Sequence, residues 1–261
     1  MARYKIVLEY DGTRYYGWQA QKGSRTIQGE FFTVFDKLFP GERCEFYGAG
    51  RTDSGVHALH QVAHLEIKSE IQPTKLMYSV NDLLPSDIHV LQVEKCDFRF
   101  HARYDAIARS YVYLISSRRT AFEKAHCWWI RDSLDLRKMN AVAKSWEGRH
   151  DFRSFTNQTP EEGSTLVEVN FIDFHHSGDL TAIHITGSHF LWKMVRRLTG
   201  ILVEVGRGNI REKEATKLVS EFSGLPARHT APPSGLYLHQ VYYPGDAIQR
   251  GREYMPVLLN F

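Results

Sequence analysis

The first hundred residues alternate between strand-like and helix-like patterns of apolar positions. Every second residue from Tyr4 to Tyr10 is apolar or aromatic, which predicts a half-buried strand. Thr26 is a suitable cap for a helix whose apolar residues recur at helical spacing over 27–38. Pro73 begins a second predicted helix, which Pro85 closes. Further strands are predicted near 44–47, 61–67 and 88–94, so the order is β-α-β-β-α-β, the split βαβ pattern.

The second half of the chain repeats this order with additions. Strands are predicted at 109–116, 166–174, 180–186 and 237–243, and helices at 136–147, 190–205 and 213–223. We therefore expect an α+β protein with two ferredoxin-like (split βαβ) domains, whose mostly antiparallel sheets flank a central active-site cleft. The predicted domains cover 1–98 and 104–245, and residues 246–261 form a tail.

Composition narrows the class of protein without identifying it. The chain has 261 residues, of which 43% are hydrophobic, so it can form a substantial core. A net charge of +3 permits a polyanionic partner without requiring one. Three widely spaced cysteines give neither a disulfide framework nor a cysteine zinc site. Without a signal-like or membrane-spanning run, we expect a soluble cytoplasmic protein with no membrane partner.

The segment 48–58 places one carboxylate, Asp53, among glycines, small hydroxyls and an arginine, between two predicted strands. Glycines allow positive φ and leave room for a large ligand to approach. Arg51 can keep the Asp53 carboxylate ionised, as a nucleophile or base requires. The same features also fit a tight turn in which the aspartate only caps its own backbone. The residues alone leave both interpretations open.

Arg109, Tyr111 and Tyr113 alternate on a predicted strand and therefore share a face. A cationic and aromatic face on an open sheet can hold single-stranded RNA bases by stacking. Arg109 is accordingly a candidate substrate-binding residue. The alternative is a sheet core in which Arg109 extends to solvent, and this alternative is favoured for one of the two tyrosines.

Arg196 and Arg197 are adjacent on the predicted helix at 190–205, so their side chains point in different directions. One can reach inward to a carboxylate, because a buried arginine needs a partner, while the other faces solvent or phosphate. The residues alone leave open which arginine faces inward; if it is Arg196, then Arg197 is a candidate for binding phosphate. The alternative is that both are surface charges beside a core stripe.

The sequence disfavours both metal binding and dinucleotide binding. His57, His60 and His64 have a spacing that suits metal ligands on a helix, but they overlap a predicted strand, so we predict no metal site. The GxG runs at 48–50 and 206–208 lack the remainder of a dinucleotide-binding pattern.

Several motifs in order along the chain resemble the tRNA pseudouridine synthase A (TruA) family. They begin with Tyr10-Asp11-Gly12-Thr13 and Gly17-Trp18-Gln19. The most specific is the block from Gly50 to Ala58, which reads GRTDSGVHA. The match continues with Phe100-His101-Ala102-Arg103, Arg109-x-Tyr111-x-Tyr113, Met194-Val195-Arg196 and Gly235-Leu236-Tyr237-Leu238. The resemblance covers essentially the whole chain.

The resemblance implies an enzyme that converts uridine to pseudouridine at positions 38, 39 and 40 of the tRNA anticodon stem-loop. It makes Asp53 the nucleophile, Tyr111 the residue that packs on the target base, and Arg196 the partner of the carboxylate. It also implies that Arg51 assists extrusion of the target nucleotide and that Leu236 lines the pocket. The isomerisation is redox-neutral, so it needs no cofactor or metal. Family members are homodimers.

Some positions depart from the family pattern and leave the RNA target open. His60 stands where a glycine is common, and 156–170 contains three glutamates but no arginine. A synthase of the same family with a different RNA target is therefore one alternative. A non-catalytic ferredoxin-like RNA-binding protein is another. A glycoside hydrolase would normally need two carboxylates, and only Asp53 has a convincing setting.

Overall fold

The computed structural model describes residues 1–157 and 163–250, and these fall into two compact units. Unit 1 comprises Met1–Ile107 and Tyr237–Asp246. Unit 2 comprises Ala108–Leu236 and the chain from Ala247 onward. Of the predicted tail, residues 251–261 lie outside the described part.

Unit 1 contains a sheet in which β3 (His57–Ile67) has neighbours on both sides. β1 (Ala2–Tyr10) runs antiparallel to β3 and, along its other edge, to β4 (Ile88–Lys95). β2 (Glu45–Gly48) runs antiparallel to β3. The order of these strands is therefore β4-β1-β3-β2. The four strands predicted in the first hundred residues are all present.

Helices α1 (Ile27–Leu38) and α2 (Pro73–Asn81) begin where the sequence predicts. The Thr26 hydroxyl caps α1 by accepting a hydrogen bond from the Gly29 N–H at 3.2 Å. Aromatic packing attaches α1 to β2, because the ring of Phe46 lies 4.6 Å from Phe31 and 5.3 Å from Phe35. These contacts hold the middle of α1 against β2.

The last strand, β10 (Leu236–Tyr242), runs parallel to β3, with Tyr237 opposite His57 and Leu238 opposite Ala58. The Tyr237 ring stacks on His57 with 4.6 Å between centroids. The predicted boundary placed this strand in the domain 104–245, whereas its pairing groups it with unit 1. The alternation of apolar residues predicts a strand but not the strand with which it pairs. The predicted domain of β10 therefore differs from the unit to which the structure assigns it.

The strands of unit 2 are paired mainly antiparallel. β9 (Leu180–Gly187) lies between β5 (Ala108–Ser116) and β8 (Leu166–Ser177). β7 (Gly148–Asp151) pairs with β8, and the short β6 (Trp128–Trp129) runs parallel to the end of β5. The chain is thus a mixed α/β protein with mostly antiparallel pairing, as predicted.

The helices of unit 2 differ from the prediction at three places, one of which is a short helix at Leu225–Arg228 that was not predicted. They are α3 (Leu136–Ser145), α4 (Met194–Gly206), α5 (Glu212–Thr216) and α6 (Leu225–Arg228). α4 begins at Met194 rather than near Phe190, because Lys193 has a φ of +60° and cannot belong to a right-handed helix. The helix predicted at 213–223 is α5 followed by a 3₁₀ turn at Lys217–Val219. Within the described residues, no helix is long and apolar enough to cross a membrane.

Gly200 determines how closely α4 approaches the chain at His229. A Cβ at this position would lie 1.5 Å from the His229 carbonyl oxygen. Alanine favours helices over glycine by about 1 kcal/mol, whereas overpacking against a backbone costs about 1–3 kcal/mol or more. Because the overlap is with backbone, we expect a cost at the upper end of this range, so Gly200→Ala should lower the free energy of unfolding by about 2 kcal/mol, measured by urea denaturation.

Gly224→Ala is the matched control for this prediction. Gly224 has a φ of −78°, and a Cβ there meets nothing within 4 Å. Gly224 is the N-cap of α6, where alanine is less favourable than glycine by roughly 0.5 kcal/mol, but alanine also removes about 0.4–1 kcal/mol of entropy from the unfolded chain. The two effects offset, so the unfolding midpoint should change little. A Gly200→Ala protein as stable as the control would show that the His229 segment moves aside at no cost.

Candidate active site

Asp53 opens a tight turn in the loop between β2 and β3. The Val56 N–H donates to the Asp53 carbonyl oxygen at 3.1 Å, and Gly55 has a φ of +76°. The Asp53 side chain is half-buried, and it has contacts within the protein. The loop is therefore a turn in local structure, one of the two interpretations that the sequence left open, and its carboxylate remains partly accessible.

The backbone before Asp53 is held by a segment about 40 residues earlier in the chain. The Trp18 N–H donates to the Thr52 carbonyl oxygen at 3.1 Å, and the hydroxyls of Tyr10 and Thr52 lie 2.8 Å apart. Gly17 adopts a φ of +87°, and a Cβ there would lie 2.6 Å from the same Thr52 oxygen. These contacts fix Thr52, the residue immediately before the carboxylate.

The backbone after Asp53 is held by the same segment. The Gly55 N–H and the Ser54 hydroxyl both donate to the Tyr15 carbonyl oxygen, at 3.3 and 3.2 Å. Because residues on both sides of Asp53 are fixed, the carboxylate cannot drift with a mobile loop. This explains in physical terms why the YDG and GWQ motifs accompany GRTD: the first two build the support of the third.

Gly12 brings the two segments into direct contact. A Cβ at Gly12 would lie 1.9 Å from the Val56 carbonyl oxygen, so only glycine fits without displacing the loop. The Gly12 N–H lies 3.2 Å from Nδ1 of the buried His57, and that nitrogen lies 3.1 Å from an Asp11 carboxylate oxygen. Nδ1 accepts from Gly12 when it carries no proton, and it donates to Asp11 when it does.

Asp11 is a second carboxylate close to the loop, but its setting differs from that of Asp53. Partial burial raises the pKa of the Asp11 carboxyl, while hydrogen bonds from His57 and Thr13 lower it more, so the net pKa lies well below its usual range. A carboxylate held ionised in this way serves as a hydrogen-bond acceptor rather than a proton donor. From the residue pattern, His57 was weighed only as a possible metal ligand. In the structure it contacts Gly12 and Asp11 and so supports the Asp53 loop, and its position inside the GRTDSGVHA block was the signal for that role.

In unit 2, the start of β5 presents a half-exposed cationic and aromatic pair. Arg109 donates from Nη1 to the Ser188 carbonyl oxygen at 3.2 Å, and the Tyr111 ring lies 5.2 Å from Phe190 in an edge-on arrangement. Tyr113 is fully buried, and its hydroxyl donates to the Pro232 carbonyl oxygen at 2.8 Å. Tyr113 is therefore the core residue of the two tyrosines, and Tyr111 is the accessible one.

The two adjacent arginines of α4 occupy different environments. Arg196 is half-buried and donates from Nε to the Ala231 carbonyl oxygen at 2.8 Å. Arg197 is only 3% exposed and donates from Nη2 to the Asn157 side-chain oxygen at 2.6 Å. Burial and the neighbouring positive charge of Arg196 lower the pKa of Arg197. The expectation that Arg197 faces solvent or phosphate does not fit this burial.

The two remaining candidates lie at opposite extremes of exposure. Arg51 is exposed, two residues before Asp53, and is available to a ligand. Leu236 is buried at the start of β10. Within each unit, the candidates thus gather around one feature: Arg51 and Asp53 on the loop of unit 1, and Arg109 and Tyr111 on β5 of unit 2.

Comparison with known proteins identifies the family. A family model described as tRNA pseudouridine synthase matches residues 6–105 and 142–244. A protein of Thermoanaerobacter sp. (strain X514) named tRNA pseudouridine synthase A is 38% identical over 245 residues, which cover 93% of this chain and 100% of the relative.

Other relatives agree with this match. A Ruminiclostridium cellulolyticum protein of the same name is 37% identical over 246 residues, with 93% of this chain and 100% of the relative covered. A Bacillus cereus protein named tRNA pseudouridine synthase A 2 is 34% identical with the same coverage. The chain therefore belongs to the tRNA pseudouridine synthase family, as its motifs predicted, and is an isomerase that acts on tRNA.

Proposed function

We propose that the protein converts uridine to pseudouridine at positions 38–40 of the tRNA anticodon stem-loop, with Asp53 as the nucleophile. The observation that carries this proposal is the position of Asp53 in a turn that the 10–18 segment fixes on both sides. A nucleophile must be held in one orientation for its attack to be productive, and this turn supplies that constraint.

The reaction breaks the bond between N1 of uracil and C1′ of ribose and forms a bond between C5 and C1′. N1 gains a proton and C5 loses one, so atoms and electrons balance without an oxidant or reductant. Asp53 acts either by adding to C6 of the base or by assisting departure of the base from the sugar. Both routes need an ionised and oriented carboxylate. We expect no cofactor or metal.

The other roles in the proposal follow the family resemblance and the environment of each residue. The half-exposed Tyr111 packs on the target base and assists removal of the C5 proton. Arg196 is the charge partner of the Asp53 carboxylate. The exposed Arg51 assists extrusion of the target nucleotide, and Arg109 binds RNA next to Tyr111. Leu236 contributes apolar surface to the base pocket.

Several broader properties belong to the same proposal. We propose that the two halves are ferredoxin-like domains, and the β4-β1-β3-β2 order of unit 1 supports this for the first. We also propose a cytoplasmic, RNA-binding homodimer, on the family resemblance. Arg197 is excluded from the RNA-contacting set, because its buried guanidinium is bonded to Asn157.

Replacement of Asp53 tests the proposed nucleophile. Asp53→Asn keeps the size of the side chain but removes its charge, so pseudouridine formation should fall by more than about 10³-fold while tRNA affinity is retained. The measurement is pseudouridine mapping on unmodified tRNA transcripts. Asp36→Asn, on the exposed face of α1, is the control and should keep full activity.

Each alternative function gives a distinct result in this assay. Wild-type protein that binds tRNA without forming pseudouridine would be a non-catalytic RNA-binding protein. Release of free uracil would indicate hydrolysis of the glycosidic bond. Pseudouridine at other nucleotides would indicate a synthase with a different RNA target.

Tyr111→Phe separates stacking on the base from proton transfer. Phenylalanine keeps the ring, so tRNA affinity should be unchanged, whereas loss of the hydroxyl should lower kcat about 10²- to 10⁴-fold if it moves the C5 proton. Tyr111→Leu should reduce both affinity and turnover. The assay is single-turnover kinetics with a saturating enzyme concentration. A Tyr111→Phe enzyme with normal kcat would leave the residue only a stacking role.

The contrast between Arg196 and Arg197 tests the roles that burial assigns to them. Arg196→Gln should lower kcat at least about 10²-fold in a folded protein, because the carboxylate loses its charge partner. Arg197→Met should leave the salt dependence of tRNA binding unchanged, because a buried side chain releases no counterions from RNA. If the slope of the logarithm of the binding constant against the logarithm of salt concentration is smaller in magnitude by about 0.7–0.9 in Arg197→Met, then Arg197 does contact a phosphate.

A further inference from the structure

Unit 2 contains a cavity of about 280 Å³ beside the end of β5, which none of the proposed catalytic steps uses. Its lining combines positive charge with indole rings, and among the described residues no carboxylate lines it. The charged and aromatic members are Arg118, Arg119, Lys124, Trp128 and Trp129. The volume is near the lower end of ligand pockets, about 300 Å³, so the site suits one small ligand group rather than a large one.

The walls of the cavity are held in place by the β-sheet. β6 is attached to β5 through its pairing, and the Ile130 N–H donates to the Ser116 carbonyl oxygen at 2.9 Å. At the other end of the loop, the Ser117 N–H donates to the Asp179 carbonyl oxygen at 2.9 Å. The Ser116 hydroxyl also donates to the Arg118 carbonyl oxygen at 2.8 Å. Both ends of the loop 117–127 are thereby fixed.

The positive charge of this cavity is largely uncompensated. Arg118 lies 3.4 Å from the Asp179 carboxylate, but Arg119 and Lys124 form no ion pair with any residue that the structure describes. The Arg119 guanidinium instead lies 5.3 Å from the centroid of the Trp129 ring. Trp129 is 42% exposed, although a large apolar ring is normally buried. Two free cations beside an exposed indole match the chemistry of a phosphate next to a base.

We propose that this cavity binds one nucleotide of the RNA, with its base packed on Trp129 and its phosphate contacted by Arg119 and Lys124. The identity of that RNA as tRNA rests on the proposed function. The nucleotide differs from the target uridine, because Tyr111 and Ser116 are separated by about 17 Å along β5 at about 3.3 Å per residue. The site therefore contributes to affinity and to placement of the RNA, not to the chemical step.

Equilibrium binding of unmodified tRNA transcript to the full-length protein, at several salt concentrations, tests the proposal. Arg119→Gln should weaken binding. It should also reduce the magnitude of the slope of the logarithm of the binding constant against the logarithm of salt concentration by about 0.7–0.9, as expected for one lost phosphate contact. Trp129→Leu should raise Kd about 5- to 100-fold with the slope unchanged, and Trp129→Phe should recover most of the affinity. Circular dichroism melting confirms that each variant is folded.

Matched controls lie elsewhere on unit 2. Arg137, whose side chain is 97% exposed on α3, gives the same charge change in Arg137→Gln, and Phe222→Leu removes another exposed ring. Both should bind tRNA like the wild type. If Arg119→Gln and Trp129→Leu also bind like the wild type, the cavity is not an RNA site.

Three further outcomes separate this proposal from its alternatives. Uridine 5′-monophosphate that quenches Trp129 fluorescence, in a protein whose tRNA affinity does not depend on Trp129, would assign the cavity to free nucleotides and overturn the RNA assignment. Pseudouridine formation and tRNA binding that depend on Asp53 but not on the cavity would support the proposed function and overturn the proposal for the cavity. RNA binding that depends on the cavity, without any pseudouridine formation, would support the cavity and overturn the proposed function.

Discussion

The close approach of Gly12 to the Val56 carbonyl oxygen is the constraint on which the candidate active site depends. It allows the 10–18 segment to lie directly against the Asp53 loop and to bond the residues on both sides of the carboxylate. The same segment also starts α1, since the Ile27 N–H donates to the Gly17 carbonyl oxygen at 3.1 Å. One short stretch of chain therefore couples the first strand, the first helix and the Asp53 loop, and none of these can shift without the others.

Much of the fold was predictable because its signals are local. Alternation over Tyr4–Tyr10 and the Thr26 cap each depend on neighbouring residues only, and both appear as predicted. The start of α4 was not predictable, because the left-handed conformation of Lys193 interrupts a continuous apolar pattern. The partner strand of β10 was not predictable either, because the alternation of apolar residues along a strand does not indicate which strand, here about 180 residues away, it pairs with.

The environment of the candidate site was only partly predictable. The glycines around Asp53 indicated a loop between two strands, and the structure has that loop with Asp53 half-buried in it. Which of two adjacent arginines is buried depends on which side of α4 packs against the rest of unit 2. Nearly all of α4 is buried, so its apolar pattern does not distinguish the two, and Arg197 was assigned to phosphate although it is bonded to Asn157 inside the protein.

The pairing of β10 with β3 has a consequence for synthesis of the protein on the ribosome. Domains generally fold as the chain emerges, N-terminal first. Unit 1 does not follow that order of folding, because the strand beside His57 is translated only after all of residues 108–235. A nascent or prematurely terminated chain therefore lacks the ring of Tyr237 that stacks on His57, next to Gly12 and Asp11. The support of the Asp53 loop is completed only once Tyr237 has been translated, so chains that stop before it carry the Asp53 motif without its finished framework.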